Sequence, residues 1–398
     1  MNRPYRSRYI VVLAGTLTLF ACTPEQSVSP GSPASLAPAA RTAALAPTDG
    51  ELVMKKLANP RGLAWGPEGA LYVAEAGRGG PATPGPCFLS FGQVMCYGAT
   101  GGVSRLWKGE QERVISDLPS YAQVNSGRAE GPNGISLHGL GGAYVTIGLE
   151  ADPAAVRAMD TTWSRFGRLV RLAPSALARG NGHSPAGDDW EFVADLGQHE
   201  IDVNPDCGDI DSNPFGVLAE ASGVIVADAG ANAFVRREAN GDLSNFAVFS
   251  NNTTVPGPGC PAASTRDFVP TSITTGPDGA YYIGHLNGLP ILAGSSSVWR
   301  MEPGGVPEVY RSGFTWIIGL AFDPNGNLYV LQHSDGPTTN SGGSLVRVTP
   351  DGTHTTVVSA IPRPGGLAVD DAGAVYVSMV PGTNFKGDGE VRRYTFAP

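Results

Sequence analysis

The sequence predicts an all-β protein, a six-bladed β-propeller closed by an N-terminal strand in its last blade. Three observations lead to this prediction. A pattern of four short strands recurs six times at fixed spacing, the last copy lacks its fourth strand, and the start of the chain resembles the missing strand. The 54 glycines and 33 prolines, with a normal 41% hydrophobic content, suit many turns around an apolar core.

The clearest copy of the repeat covers residues 318–358. Apolar or alternating segments at 319–322, 327–331, 344–348 and 355–358 are separated by Gly, Asn, Asp and Pro, which is typical of an antiparallel meander. Such a unit cannot bury both of its faces alone, so repetition is expected.

Six copies share three positions. Each copy has an apolar anchor in its first strand: Leu63, Ile135, Val217, Ile273, Leu320 and Leu367. Nine residues later each has Tyr72, Tyr144, Val226, Tyr282, Tyr329 or Tyr376. Each third strand carries an arginine: Arg105, Arg171, Arg236, Arg300, Arg347 and Arg393. Six four-stranded units predict six blades.

The last copy ends after its third strand, at Phe396. The sequence of residues 49–64 resembles that of residues 351–368. The second segment runs from the fourth strand of the fifth copy into the first strand of the sixth copy. We therefore expect Glu51–Leu57 to supply the missing strand, which would join the two ends of the chain and remove a sheet edge.

Residues 1–21 are predicted to be a lipoprotein signal peptide. Three arginines precede an apolar run, 10–21, that is too short to span a bilayer stably. Residues 19–22 resemble a bacterial lipobox, which predicts lipidation of Cys22. Ordinary secretory cleavage near Ala21 is the alternative. We expect a bacterial protein that is exported and lipid-anchored to the cell envelope, on its periplasmic or outer surface.

The domain order follows from composition. Residues 22–48 are rich in Ala, Pro and Ser and predict a flexible tether, so the propeller covers 49–398. Removal of the leader lowers the 27 basic side chains to 24 against 36 acidic ones, and the formal charge from −9 to −12. This charge argues against nucleic acid as a partner. We expect a monomer with a small-molecule or surface ligand and a membrane contact through the lipid.

Four cysteines remain after Cys22, and an even number in an exported protein predicts disulfides. Cys87 and Cys96 lie in one loop, while Cys207 and Cys260 lie in two loops that enter neighbouring blades from the same side. We expect the pairs 87–96 and 207–260. A metal site or reactive thiol is the alternative, but no CxxC spacing supports it.

One face of the propeller is expected to carry the function. Loops between strands two and three, and connections between blades, open on the same face. Five of six long insertions belong to it: 74–101, 117–132, 148–165, 196–214 and 249–270. The sixth, 173–189, belongs to the opposite face. Loops held by a rigid scaffold often carry binding sites, so this mouth of the channel is the predicted site.

Polar residues gather at strand ends on that face. The candidate ligand-binding residues are Glu75, Asn133, Asp211, Asn213, Asp228, Asn232 and His285. Acids and amides supply the oxygen donors that a hard cation or a hydroxylated ligand needs. The alternative is that these groups only cap turns and satisfy backbone N–H groups.

A second candidate is a weak metal site. Asp202, Asn204 and Asp206 place oxygen ligands at alternate positions, as calcium loops do, and suggest Ca²⁺ as a cofactor. The following glycine is one place late, and no glutamate closes the loop. The chain has no GxSxG elbow, HExxH motif or phosphate loop, so its catalytic residues are unknown.

Five segments resemble the ScyD/ScyE family of exported β-propeller proteins. They are LYVAEAGRGGP (71–81), EGPNGIS (130–136), DSNPFGVL (211–218), VADAGANAFVR (226–236) and VPTSITTGPDGAYYIGHLNGLPI (269–291). The resemblance covers nearly all of the folded part and implies that the seven candidate residues are family motif positions. Relatives commonly have Gln at the position of His285. The scytonemin pathway that names the family implies oxidative coupling of aromatic monomers for some members.

The chain is more distantly similar to gluconolactonase-type propellers, in which a ring of acids and amides in the channel holds a divalent metal. The equivalent positions here are Arg61, Asn133, Phe215, Thr271, Ile318 and Gly365. Because only Asn133 fits a metal ligand, that metal site is not expected here.

Two classes of function follow. The first is a propeller that binds a small molecule or other ligand at the channel mouth. The alternative is an exported enzyme, either a metal-assisted, lactonase-like hydrolase or an oxidative enzyme acting on an aromatic small molecule. The incomplete metal ring and the missing nucleophile motif favour binding, since the fold alone does not choose.

Overall fold

A computed structural model describes residues 50–396, apart from 83–84, 91, 138–142, 180–188, 253–257, 339–340, 383–384 and 386–387. The predicted signal peptide, Cys22 and the tether lie outside these residues. The described chain forms six antiparallel sheets, which confirms the six-bladed propeller. Neighbouring blades pack through their first strands, so these strands surround the central channel.

The first three blades carry most of the additions. Before them, β1 covers Glu51–Leu57. Blade 1 contains β2 (Pro60–Trp65), β3 (Leu71–Glu75), β4 (Cys87–Ser90), β5 (Gln93–Trp107), β6 (Glu110–Gln123) and β7 (Ala129–Glu130). Blade 2 contains β8 (Pro132–Leu137), β9 (Ala143–Ile147), α1 (Pro153–Met159), a 3₁₀ helix (Thr161–Arg165), β10 (Arg168–Leu172), α2 (Pro174–Arg179) and β11 (Trp190–Asp195). Helix α3 (Leu196–Val203) leads to blade 3, which contains β12 (Pro214–Glu220), β13 (Gly223–Asp228), β14 (Ala233–Glu238) and β15 (Leu243–Val248).

The remaining blades are plain four-stranded meanders. Blade 4 contains β16 (Pro270–Thr275), β17 (Tyr281–His285), β18 (Ser296–Met301) and β19 (Glu308–Phe314). Blade 5 contains β20 (Ile317–Phe322), β21 (Leu328–Gln332), β22 (Gly343–Val348) and β23 (His354–Ile361). Blade 6 contains β24 (Pro364–Val369), β25 (Val375–Met379) and β26 (Gly389–Tyr394).

The predicted closure is confirmed. Strand β1 pairs antiparallel with β26 and completes blade 6 in the order β24, β25, β26, β1. Met54 and Leu57 on β1 are each 1% exposed and pack with residues of blades 1 and 6. The first described strand therefore joins both ends of the ring.

The recurring tyrosines and arginines have a structural role on the turn face, where strands one and two are joined. They lie opposite each other across strands two and three in five blades: Tyr72 and Arg105, Tyr144 and Arg171, Tyr282 and Arg300, Tyr329 and Arg347, Tyr376 and Arg393. In blade 4, Tyr282 Oη and the Arg300 guanidinium both reach Asp278 of the turn, at 3.2 and 2.7 Å. Cross-strand pairs of this kind stabilise the blades, which explains their repetition.

The insertion in blade 1 is strand, whereas the sequence suggested loops. Strands β5 and β6 extend well beyond the blade as a long hairpin, and β4 pairs with β5. Both predicted disulfides are confirmed: Cys87–Cys96 joins β4 to β5, and Cys207–Cys260 joins two connections. Such bonds indicate a non-cytoplasmic, oxidising compartment. In the described part of the chain, no helix is long and apolar enough to cross a membrane.

Candidate functional site

The loop face, where strands two and three are joined and where blades connect, carries the predicted residues. The last residue of each second strand lies opposite the first residue of the inner strand, as Asp228 lies opposite Pro214. The same register places Glu75 and His285 opposite Pro60 and Pro270. The side chain at the end of the second strand therefore lies next to the connection that enters the blade, in each of these three blades.

Asp228 holds the connection into blade 3. It is 1% exposed, and its carboxylate accepts hydrogen bonds from Ser212 Oγ at 2.7 Å and from the Asn213 N–H at 2.6 Å. The Ala231 N–H donates to it at 3.3 Å. Burial raises the pKa of Asp228 while these hydrogen bonds lower it. All of these hydrogen bonds are made within the protein. They fit the alternative in which the candidate residues cap turns and satisfy backbone N–H groups.

Glu75 repeats this arrangement in blade 1. One carboxylate oxygen accepts from the Ala58 N–H at 2.6 Å, and the other from Ser104 Oγ at 2.5 Å. In blade 5, Gln332 accepts from the Thr315 N–H at 2.5 Å. A side chain at the end of a second strand thus fixes the backbone that enters the blade.

His285, at the end of the second strand of blade 4, fixes the backbone through its imidazole ring. The Ser297 N–H donates to Nε2 at 3.0 Å, so Nδ1 carries the proton and donates to the Phe268 carbonyl at 3.1 Å. The ring also stacks on Phe268, with centroids 4.1 Å apart. Burial lowers the pKa of His285 to about 4, so the ring is neutral at neutral pH. The described contacts of Glu75 and His285 do not include Asp211 or Asp228.

Asn133 and Asn213 come together between blades 2 and 3, with Glu130 beside them. A Cβ on Gly148 would lie 2.4 Å from Asn133 Nδ2, 2.6 Å from Asn213 Oδ1 and 3.1 Å from Glu130 Oε2. Only glycine leaves room for this convergence. Asn213 Oδ1 accepts from the Leu149 N–H at 3.1 Å, while Asn133 Oδ1 is buried without a hydrogen bond.

Asp211 is the predicted residue that is both partly exposed and incompletely bonded. Its segment pairs with the segment that carries Glu150: Ala151 and Ser212 form an antiparallel bridge, and the Glu150 N–H donates to the Ser212 carbonyl at 3.0 Å. This pairing brings the two carboxyls close enough for the charge of Glu150 to act on Asp211. Its Oδ1 is buried without a hydrogen bond. Burial, followed by the charges of Asp228 and Glu150, raises the pKa of Asp211 to about 7.

Glu200 on α3 is an unexpected member of this cluster. It is 1% exposed, and neither carboxylate oxygen makes a well-formed hydrogen bond. Burial and the charges of Asp228 and Asp206 raise its pKa to about 9, and the nearby Asp211 N–H offsets only part of this. A lone glutamate on a short helix gives no sequence signal, since it normally faces solvent.

Arginines flank the acids. Arg128 pairs with Glu150 and lies 3.6 Å from Glu130, which also lies 3.7 Å from Arg61. Burial raises the pKa of Glu150, although Arg128 opposes this. Glu130 belongs to the EGPNGIS segment quoted above, so its motif could have identified it. Nothing in the sequence indicated Arg128 or Glu150.

The weak metal motif lies around the end of a helix. Asp202 belongs to α3 and accepts from Gln198 Nε2 at 2.9 Å. Asn204 ends the helix with a φ of 42° and donates to the Gly208 carbonyl at 2.9 Å. Asp206 is buried and accepts from the Gly208 N–H at 2.8 Å. The helix interrupts the alternating spacing, and Ca²⁺ binding here stays a prediction.

Asn232 and Asp206 form a structural pair next to the cluster. Asn232 donates to Asp206 at 2.9 Å and accepts from the Val269 N–H at 2.8 Å. The pair therefore ties the Cys207 connection to the entrance of blade 4. In the described chain, no three His, Cys, Asp or Glu side chains are grouped so that they could hold a metal ion. A metal at this mouth would need amide or carbonyl oxygens as well.

The insertions of blades 1 and 2 build a packed wall beside the cluster. Tyr121 of the long hairpin and Phe88 of β4 pack edge-to-face on Trp163 of the 3₁₀ helix, with centroids 5.8 and 4.7 Å apart. Phe166 completes this buried aromatic group. The Tyr121 hydroxyl donates to the Leu149 carbonyl, next to Glu150. Aromatic packing thus fixes the segment that carries Glu150.

No protein-family model and no curated protein matches this chain. Solved structures share its fold. An inactive virginiamycin B lyase from Staphylococcus aureus with quinupristin is 13% identical, with 86% of this chain and 98% of that chain covered and a TM-score of 0.43. A streptogramin B lyase is 13% identical, with coverage of 87% and 97% and a TM-score of 0.43.

A luciferin-regenerating enzyme is 10% identical, with 87% of this chain and 94% of that chain covered and a TM-score of 0.48. All three names are those of enzymes. At these identities the likeness concerns the fold alone, because one propeller architecture supports many functions.

Proposed function

We propose that this chain is an exported propeller that binds a small molecule with a cationic or hydroxyl-rich group at the mouth of its loop face. The binding groups are Asp211 and Glu150, with Asn213 at the edge of the site. These three side chains are partly exposed, whereas Glu75, Asp228 and His285 are buried and bonded within the protein.

The observation that carries the proposal is the unbonded carboxylate oxygen of Asp211 beside Glu150. A buried oxygen without a partner is costly, and the charges of Asp228 and Glu150 oppose the ionisation of Asp211, although Arg128 pairs with Glu150. A bound cation or hydroxyl donor relieves both costs. The fixed loops around the two residues prepare the site before the ligand arrives.

A thermal-shift screen with calcium chloride, alkylamines and sugars tests the proposal. We expect at least one compound to raise the melting temperature of the wild type but not of Asp211→Asn. The control is Asp371→Asn, which removes the same charge from an exposed acid in a turn of blade 6 and should respond like the wild type. No response to any compound, or an equal response in Asp211→Asn, would contradict the proposal.

The stability of the variants separates binding from structural residues. Asp211→Asn should unfold at about the same temperature as the wild type without ligand, because it removes a poorly compensated charge. Asp228→Asn should lose about 1–3 kcal/mol, since its amide cannot accept all the hydrogen bonds that the carboxylate accepts.

One observation favours an enzyme as the second candidate. A partly exposed carboxyl with a pKa of about 7 suits a general acid or base at neutral pH. If Asp211 acts in this way, turnover of a lactone, an ester or an aromatic substrate should be lost in Asp211→Asn and retained in Asp371→Asn. A panel of such substrates checks this, and equal turnover in both variants would exclude the role of Asp211.

Membership of the ScyD/ScyE family and lipidation at Cys22 complete the proposal. They are supported by the five quoted segments, the lipobox-like sequence and the disulfides. Intact-mass measurement of the wild type and Cys22→Ser tests the lipid. A mature wild-type protein without the mass of acyl chains would contradict lipidation at Cys22.

A further inference from the structure

A second pocket lies on the loop face at the seam of the ring. It is lined by residues of blades 1, 5 and 6, whereas Asp211 and Glu150 belong to blades 2 and 3. The residues that line it include Asn59, Arg61, His333, Arg363 and Phe385.

The pocket lining contains two guanidinium groups and no carboxylate. Arg61 donates to the Ala129 carbonyl at 2.8 Å and forms an ion pair with Glu130, outside the pocket lining, at 3.7 Å. The Nε of Arg61 is buried and makes no hydrogen bond. A buried donor of this kind costs free energy until an acceptor reaches it.

Arg363 has only backbone acceptors among its described contacts. Its Nη1 donates to the Val380 and Gly382 carbonyls, and no described acid forms an ion pair with it. Its guanidinium lies over the Phe385 ring at 5.0 Å. Stacking of this kind holds the guanidinium plane and leaves its other N–H groups available to a ligand.

His333 lines the same pocket as the two arginines. Its Nδ1 faces the Pro364 carbonyl at 3.2 Å, so this nitrogen carries the proton of the neutral ring. Burial and the charges of Arg61, Arg128 and Arg363 lower the pKa of His333 to about 4. All three arginines disfavour its protonation, whereas Glu130, 3.7 Å from Arg61 and 3.6 Å from Arg128, carries the opposite charge beside two of them.

We propose that this pocket is an anion subsite that takes a carboxylate or phosphate group between Arg61 and Arg363. An oxyanion accepts from guanidinium N–H groups with two oxygens and supplies the charge that this lining lacks. The subsite uses different residues from the acidic mouth, although ion pairs through Glu130 and Arg128 connect Arg61 with Glu150.

Titration of the isotope-labelled full chain tests the subsite directly. Inorganic phosphate and acetate are added separately, and the His333 ring signals are followed by NMR. We expect saturable shifts of these signals with at least one of the two anions, and the stronger one identifies the class of group preferred. Unchanged His333 signals at high anion concentration would overturn the proposal without any variant.

Variants locate the bound anion. Arg363→Gln should weaken the binding at least tenfold, and Arg363→Lys should weaken it less, because it keeps the charge but not the fork of donors. The control is Arg171→Gln, which removes an exposed arginine paired with Glu191 and should change the affinity less than twofold. Equal affinity in wild type and Arg363→Gln would also refute the subsite.

The pH dependence gives a further readout of the same contact. A bound anion offsets the three arginines and raises the proton affinity of His333, so binding should be accompanied by proton uptake. Sulfate keeps its charge between pH 8 and 5, and its affinity should therefore rise as the pH falls. His333→Gln should remove this rise in affinity. A rise that persists in the variant would contradict proton uptake by His333.

Discussion

Leu57→Ala tests how the ring is closed. Leu57 is 1% exposed and belongs to an apolar cluster that combines β1 with blades 1 and 6. The cluster includes Leu63 and Val73 of blade 1 and Tyr376 of blade 6. Truncation of Leu57 therefore leaves a cavity where the two ends of the chain meet.

The expected loss of unfolding free energy in Leu57→Ala follows from the burial of the leucine side chain. Removal of a fully buried leucine side chain beyond Cβ costs about 2–5 kcal/mol, from lost transfer free energy and the cavity left behind. Leu52 lies on the same strand but is 48% exposed. Leu52→Ala is thus a matched control, and it should cost about 0.5 kcal/mol or less.

Urea denaturation followed by tryptophan fluorescence measures both variants. We expect the free energy of unfolding to fall by at least about 2 kcal/mol more for Leu57→Ala than for Leu52→Ala. Deletion of residues 1–58 should destabilise the whole domain, whereas deletion of 1–48 leaves β1 in place. Equal losses in the two point variants, or equal melting temperatures of the two truncations, would refute the closure by β1.

Two more predictions concern buried groups. Glu200 has its pKa raised to about 9 from the ordinary 4.5, so its contribution to stability is complete below pH 4.5 and is lost as the pH rises toward 9. The stability of the wild type relative to Glu200→Gln should therefore increase as urea unfolding is moved from pH 8 to 5, and a flat difference would contradict the burial of Glu200. Replacement of both cysteines by alanine should cost about 4 kcal/mol for Cys207–Cys260, whose separation is 53 residues, but about 2.6 kcal/mol for Cys87–Cys96, whose separation is 9. A larger loss for the short loop in calorimetry would rule out this chain-entropy argument.

Most of the fold could be predicted because its signals are local and repeated. The spacing from Leu320 to Tyr329, with turns between short strands, specifies a blade wherever it occurs. The N-terminal strand was predictable for the same reason, since residues 49–64 repeat a pattern found elsewhere. The long hairpin of β5 and β6 was not, because its strands lie outside the repeat and have no second copy for comparison.

The candidate site was predictable only as a face and a set of residue types. The sequence placed Asp211, Asp228 and His285 at strand ends, and the structure agrees. It could not distinguish Asp228, whose oxygens hold the blade connection, from Asp211, which has an oxygen without a partner. That difference depends on backbone donors from other segments of the chain.

The sequence by itself determined the number of blades, the closing strand, the disulfide pairs and the face with the long insertions. Each depends on residue spacings along the chain or on the even number of cysteines, and both can be counted in one sequence. The tertiary structure alone decided that Glu200 lies buried without a good partner and that Arg61, His333 and Arg363 share one pocket. Burial and partnership are set by residues distant in sequence that meet only when the ring closes.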